Sequence, residues 1–153
     1  MDFPLSTDIT KQNKGFIVDS DHAFLDTQDM DIGSALKAAG WKDGAWVKTA
    51  GTTSKELAPT DTSAVKNSFC VYTGSEKVSD PTSDTAATGK LTVITSGGWI
   101  GRTKEFTATP ALGALLVAKS GKLVAAASDA EKMIAVAVVV GPIVDGFLEF
   151  KAL

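Results

Sequence analysis

The 153-residue sequence predicts a mainly β fold: a single antiparallel β-sandwich or small β-barrel domain with one short helix and an extended N-terminal arm. Short runs rich in Val, Ile, Leu, Phe and Thr recur along the chain. Gly, Ser, Asp and Pro separate these runs at intervals of about 8–12 residues, which is typical of antiparallel β-domains. With 44% hydrophobic residues, a chain of this length can bury a core without disulfides or bound metals.

The N-terminal stretch is expected to form an arm outside the folded domain. Residues 1–14 lack hydrophobic periodicity, and their apolar side chains stand alone in polar surroundings. The candidates for contact with a partner in this arm are Phe3, Pro4, Leu5 and Ile9. The single β-rich domain is then expected over residues 15–153, with its first strand at 15–18.

One short helix is predicted at residues 31–39. Asp31 or Ser34 can accept hydrogen bonds from the free amides of its first turn. Gly40 suits the left-handed position that commonly ends a helix. The helix therefore has about two and a half turns, at 3.6 residues per turn.

After the helix, turn residues and short apolar runs predict strands. Asp43-Gly44 is a turn signal before a strand at 45–49, and Ser120-Gly121 supplies the residue types of a tight hairpin. The other predicted strands lie at residues 69–73, 91–95, 105–108, 114–119, 122–126, 134–140 and 147–151. Two stretches dense in Thr, Ser, Asp and Pro, 52–63 and 74–89, are expected to be polar surface excursions.

The charge balance and the hydropathy argue against two classes of partner. Fifteen basic and 18 acidic residues give a net charge of -3, whereas phosphate binding needs a clustered excess of Lys and Arg, so no nucleic acid is expected. The longest apolar run, 133–144, is interrupted by Gly141-Pro142 and is shorter than the ~20 residues that span a bilayer. No membrane partner is expected, and the N-terminus lacks the pattern of an export signal.

An acidic group near the predicted helix is the candidate metal site. Its members are Asp19, Asp21, Asp26, Asp29 and Asp31. Calcium prefers several carboxylate oxygens within one loop, which makes Asp29 and Asp31 weak candidate ligands. In an EF-type loop that starts at Asp29, Gly33 and Gly40 would occupy ligand positions. A solvated acidic loop is therefore the favoured interpretation, and neither a metal nor another cofactor is expected.

The residues that usually carry catalysis are sparse. His22 follows Asp21, an arrangement that could orient a general base, but no nucleophile accompanies it. The single cysteine, Cys70, lies in a strand pattern, where a buried inert thiol is expected. Phosphate-binding loops and the Gly-x-Ser-x-Gly motif are absent from the sequence. We therefore expect no catalytic residues and no enzymatic activity.

The three tryptophans leave a binding function open. Trp46 and Trp99 adjoin predicted strands and are expected in the core. Trp41 is the candidate for an exposed aromatic residue, on which a sugar ring could stack. A carbohydrate-binding module therefore remains an alternative function.

The last third of the chain has a characteristic order of elements. A corner at Pro110 leads to the hairpin at Gly121, and an apolar strand at 134–138 precedes a closing strand that includes Phe147 and Phe150. This order resembles the small β-rich head decoration, or cement, proteins of tailed bacteriophages. The resemblance covers roughly the last fifty residues and consists of residue types in sequence, without an invariant motif.

The resemblance implies a virion structural protein without enzymatic activity. Such a protein is made in the host cytoplasm, lies on the outer surface of the capsid, commonly as a homotrimer, and clamps neighbouring subunits of the major capsid protein. We place the capsid contacts on the arm, at Phe3, Pro4, Leu5 and Ile9. A tail-tube protein or another β-rich virion protein is the alternative within the same structural class.

Overall fold

The computed structural model describes residues 16–19, 25–50, 55–72 and 89–153, the first of these ranges as backbone only. Within them the chain is mainly β, as predicted, and forms two sheets and two short helices. The strands are β1 Phe16–Asp19, β2 Thr27–Ile32, β3 Trp46–Thr49, β4 Glu56–Pro59, β5 Ser68–Val71, β6 Lys90–Ile94, β7 Ile100–Thr103, β8 Leu115–Lys119, β9 Lys122–Ala125, β10 Ala137–Val139 and β11 Leu148–Ala152. The helices are α1 Ser34–Ala39 and α2 Asp129–Lys132.

The first sheet closes into a five-stranded barrel in the order β2-β4-β3-β5-β6. Strand β2 pairs with β4 in parallel and with β6 in antiparallel orientation, and the latter pairing closes the barrel. Alternate residues of each strand point inward, as Leu91 and Val93 of β6 illustrate. The barrel core also takes side chains from α1 and the loop after it, and its buried members are Met30, Leu36, Trp41, Val47, Leu57, Val71, Leu91 and Val93.

The second sheet has six strands in the order β1-β7-β11-β10-β8-β9, and every neighbouring pair is antiparallel. After β7 the chain crosses to the far edge of this sheet. There the Leu123 amide donates to the Glu105 carbonyl and the Thr107 amide donates to the Leu123 carbonyl, both at 3.0 Å. The predicted strand at 105–108 is thus a single bridge at Phe106. These bonds bring the segment after β7 to the edge strand β9.

A second core joins the barrel to the six-stranded sheet. Trp46 of the barrel stacks on Trp99 with ring centroids 6.5 Å apart, and Phe150 meets the Trp99 ring edge-on at 5.3 Å. The tip of the β8–β9 hairpin strengthens this joint, because the Trp46 amide donates to the Gly121 carbonyl at 3.0 Å. The Gly121 amide in turn donates to the Thr60 hydroxyl. The two sheets are therefore held together by shared packing and by hydrogen bonds.

The hairpin at Ser120-Gly121 is confirmed. Lys119 pairs with Lys122, so the loop has two residues, and both adopt positive φ, 50° for Ser120 and 80° for Gly121. Two consecutive left-handed residues are the signature of the tight turn whose twist matches the flanking strands.

The predicted helix is present but shorter than predicted. It begins at Ser34, and Gly40 ends it with φ 83°, as predicted. Asp31 does not cap it, because Asp31 belongs to β2, where its amide donates to the Lys55 carbonyl at 2.8 Å. Gly33 takes the cap position, where an added Cβ would lie 2.6 Å from the Leu57 carbonyl oxygen. Pairing of β2 with two other strands therefore removes the first turn of the expected helix.

Two other predictions are wrong in part. Within the expected polar excursion 52–63, residues Glu56–Pro59 form β4, because Leu57 is fully buried in the barrel core. The expected strand at 134–140 is shortened to Ala137–Val139. The arm at 1–14 and the excursion at 74–89, apart from Gly89, lie outside the described residues.

Helix α2 was not predicted, although the sequence carries a signal for it. The Ser128 hydroxyl accepts a hydrogen bond from the Glu131 amide, and the Glu131 carboxylate accepts one from the Ala127 amide. This arrangement follows the spacing Ser-x-x-Glu, which marks the start of many helices.

Candidate functional site

The predicted contact residues of the arm, Phe3, Pro4, Leu5 and Ile9, lie outside the described residues, and so does His22. Of the predicted acidic group, Asp21 and the side chain of Asp19 also lie outside the described part of the chain. The site predictions that fall on described side chains are Asp26, Asp29, Asp31, Cys70 and the three tryptophans.

The two candidate ligands Asp29 and Asp31 lie on β2 and bind other side chains of the chain. The Thr92 hydroxyl donates to the Asp29 carboxylate at 2.6 Å, and the Lys90 ammonium group lies 2.6 Å from the Asp31 carboxylate. Within the described ranges, no group of three or more His, Cys, Asp or Glu side chains is placed to hold a metal ion. These two carboxylates thus support cross-strand contacts between β2 and β6.

Cys70 is buried, as predicted. Burial raises the pKa of its thiol well above the ordinary value, and the charge of Asp43 raises it further. A thiol reacts as its thiolate, so this environment makes Cys70 a poor nucleophile.

All three tryptophans are buried, so the prediction of an exposed Trp41 is wrong. Only 4% of Trp41 is exposed, because its ring packs in the barrel core with Leu36 of α1. Trp46 and Trp99 lie in the core between the sheets, as predicted. Within the described part of the chain, the tryptophans offer no exposed ring on which a sugar could stack.

A cleft of about 420 Å³ lies where the β8–β9 hairpin meets the barrel. Its walls include Trp41, Trp46, Pro59 and the pair Lys42 and Glu105, whose charged atoms are 3.7 Å apart. The indole nitrogens of both tryptophans are shielded from solvent and make no hydrogen bond. The cleft therefore presents an apolar wall and the ion pair of Lys42 with Glu105.

The exposed apolar side chains form the strongest candidate site. Five large apolar residues are exposed in the described ranges, and three of them lie at the end of the six-stranded sheet where β8 and β11 begin. They are Leu112, 72% exposed, Val140, 38% exposed, and Val144, 54% exposed. We call these three residues the apolar end.

Backbone hydrogen bonds hold the apolar end in place. The Gly113 amide donates to the Val139 carbonyl at 2.9 Å, which places Leu112 next to Val140 across the sheet. Val144 and Phe147 exchange two backbone hydrogen bonds around a tight turn at Asp145-Gly146. The Lys104 ammonium group lies 4.9 Å from the centre of the Phe147 ring. Exposed apolar side chains that backbone hydrogen bonds hold at one end of a sheet are a candidate contact surface for another macromolecule.

The apolar end was not predicted from the sequence, although the sequence contains a signal for it. Gly141-Pro142 and Asp145-Gly146 mark loops, and apolar residues stand between and beside these turn residues. Loops are normally polar, so apolar side chains between such turn residues indicate a surface that meets a partner.

Neither the helices nor a comparison with known proteins points to a function. In the described part of the chain, no helix has the length and apolar character needed to cross a membrane. Comparison with protein-family models, with curated proteins and with solved structures finds no match.

Proposed function

We propose that this chain is a head decoration, or cement, protein of a tailed bacteriophage. In this proposal it binds the outer surface of the assembled capsid and stabilises contacts between subunits of the major capsid protein. It acts as a homotrimer, without a cofactor, and binds neither nucleic acid nor membrane. The observation that carries the proposal is the apolar end, a fixed and exposed surface on a domain whose tryptophans are buried.

The free energy gained by burying such a surface fits a protein that holds neighbouring capsid subunits together. Burying a Leu or Val side chain fully contributes about 1.5–3 kcal/mol, so a few exposed side chains supply a useful but modest affinity. A ligand that binds only the assembled shell shifts the assembly equilibrium toward the intact particle. Several linked copies bind more tightly than one copy because the later contacts are intramolecular.

The arm supplies the second part of the proposal. Phe3, Pro4, Leu5 and Ile9 are apolar residues in a polar stretch, and their binding to the capsid would bury apolar surface on both partners.

The test uses empty capsids assembled from the major capsid protein encoded in the same genome. We expect the purified chain to co-sediment with expanded capsids and to raise the temperature at which they disassemble. A variant that lacks residues 1–13 should bind at least about tenfold more weakly while keeping the circular dichroism spectrum of the full chain. Absence of binding to expanded capsids would contradict the proposal.

Solution measurements on the chain alone separate the alternatives. A decoration protein should form one small oligomer, whereas a tail-tube protein should form rings or longer polymers. Binding to a glycan array would favour a carbohydrate-binding module instead.

A further inference from the structure

The cleft between the β8–β9 hairpin and the barrel has the size and the fixed walls of a ligand site. Its volume of about 420 Å³ lies within the range of about 300–1,000 Å³ that is usual for small-molecule sites. The Trp46 amide donates to the Gly121 carbonyl at 3.0 Å, and the Ser120 amide donates to the Asp61 carbonyl at 2.8 Å. These bonds hold the barrel wall and the hairpin wall in place without a ligand.

Glu105 is the acidic residue of the cleft wall, and its backbone is bonded on both sides. Its amide donates to the Thr103 hydroxyl at 2.9 Å, and its carbonyl accepts from the Leu123 amide at 3.0 Å. The first bond ties Glu105 to β7 and the second ties it to the edge strand β9. Its side chain is only 13% exposed. The carboxylate is therefore largely enclosed and starts from a fixed backbone.

The Glu105 carboxylate has few polar partners for an enclosed group. Within the described residues its charged neighbour is Lys42, whose ammonium nitrogen is 3.7 Å away, beyond hydrogen-bond distance. An enclosed carboxylate that accepts no hydrogen bond from these residues keeps an unfavourable desolvation free energy. Lys42 is 57% exposed and Lys122 is also exposed, so water solvates both ammonium groups. The unmet interaction in the cleft is therefore at its negative charge.

We propose that this cleft is a binding site for a small organic cation, whose charged group lies against Glu105 and whose apolar part lies against the barrel wall. An ammonium, amidinium or guanidinium group supplies the positive charge and the hydrogen-bond donors that the carboxylate lacks, and the two planar groups can donate two parallel bonds to it. Ala39, Ala45 and Pro59 contribute apolar wall surface for the rest of the ligand. The site needs neither the arm nor the apolar end, so it is independent of the proposed capsid contacts.

Lys42 competes with such a ligand for Glu105. Its side chain is more than half exposed, so a ligand can displace its ammonium group into water with only a small loss of free energy. Removal of this ammonium group favours a cation at Glu105 and disfavours an anion. A substitution at Lys42 therefore distinguishes the proposed site from an anion site in the same cleft.

Three probes of nearly the same shape test the charge of the ligand. Benzamidinium is a cation, benzamide is neutral and benzoate is an anion, and each is titrated into the isotopically labelled full chain. The amide signals of Trp46 and Gly121 report binding in two-dimensional NMR spectra. We expect benzamidinium to bind at least about tenfold more tightly than benzamide. Tighter binding of benzoate than of benzamidinium would overturn the proposal, and so would unchanged signals at about 10 mM benzamidinium.

Charge-removing variants test the role of Glu105. Glu105→Gln keeps the shape of the side chain, and Glu149→Gln is the matched control, because Glu149 is a partly buried glutamate of the same sheet outside the cleft wall. We expect Glu105→Gln to bind benzamidinium at least about tenfold more weakly and Glu149→Gln to bind it like the unmodified chain. Equal binding by Glu105→Gln and the unmodified chain would contradict the proposal.

Lys42→Ala keeps the test independent of a folding defect in Glu105→Gln, because Lys42 is an exposed residue. We expect this variant to bind benzamidinium about two- to fivefold more tightly, since the competing ammonium group is gone. Its circular dichroism spectrum should match that of the unmodified chain. Weaker binding of benzamidinium by Lys42→Ala would overturn the proposal.

Discussion

The barrel and the six-stranded sheet are built from strands of similar length, but they differ in what they expose. All five large apolar side chains that are exposed in the described residues lie between Leu112 and Leu153, outside the barrel. The barrel closes on itself, so its strands have no free edge and its apolar residues face inward. The six-stranded sheet is open, and the exposed apolar side chains lie in the segments before and after its strands. The closed barrel therefore exposes no large apolar side chain in the described residues, whereas the region of the open sheet exposes five.

The largest expected effect tests whether the two regions fold as one unit. Trp99 packs against Trp46 of the barrel and Phe150 of the sheet, and its indole donates to the Ser96 carbonyl at 2.8 Å. We expect Trp99→Ala to lower the free energy of unfolding by about 3–5 kcal/mol, because it leaves a cavity in the shared core. Chemical denaturation followed by circular dichroism measures this loss.

Trp99→Phe is the matched control, and its loss should be smaller because an aromatic ring still fills part of the site. Unfolding of the alanine variant in two separate transitions, with the barrel intact in the first, would show that the two regions are independent.

A smaller effect is expected at the joint made by the hairpin tip. The Thr60 side chain is buried, and its hydroxyl accepts a hydrogen bond from the Gly121 amide. Thr60→Val keeps the shape but leaves that amide without its acceptor, so we expect a loss of about 1–3 kcal/mol. Thr62→Val, at an exposed position two residues away, is the control. Equal stability of the two variants would mean that the hairpin contact does not couple the regions.

The smallest expected effect is on how the stability of the sheet region depends on pH. The pKa of Glu131 is lowered, first because Lys119 donates to its carboxylate at 2.7 Å and second because the Ala127 amide also donates to it. A lowered folded-state pKa means that the charged form stabilises the fold above the ordinary pKa of a glutamate. This stabilisation is lost as the pH falls through the lowered value.

Glu131→Gln removes the titrating group and should therefore reduce the loss of thermal stability between about pH 7 and about pH 3. Asp129→Asn is the control, since Asp129 is fully exposed. An identical acid response of the unmodified chain and Glu131→Gln would show that the Lys119 contact contributes nothing measurable.

Local signals explain which elements could be predicted from the sequence. The hairpin at Ser120-Gly121 and the helix end at Gly40 depend on residues that tolerate positive φ, and both were found where the sequence predicts them. The burial of Cys70 follows from the apolar pattern around it. These features depend on neighbours within a few positions, which the sequence displays directly.

Contacts between residues far apart in the sequence explain the wrong predictions and the site that was not predicted. Asp31 lies in β2 because β4 and β6 pair with it there, and Trp41 is buried because the barrel closes around its loop. The apolar end was missed because its three residues come from two separate loops that only the sheet register brings together.

The sequence by itself determined that this is a β-rich chain with short strands, defined turns and isolated apolar residues in its N-terminal stretch. Turn residues and the alternation of apolar with polar residues are local properties of a sequence. Only the tertiary structure decided that one sheet closes and the other stays open, and that three of the five exposed large apolar residues lie at the end of the sheet where the chain enters β1. The physical reason is that strand pairing and burial are set by contacts between residues far apart in the chain, whose free energy a local pattern does not contain.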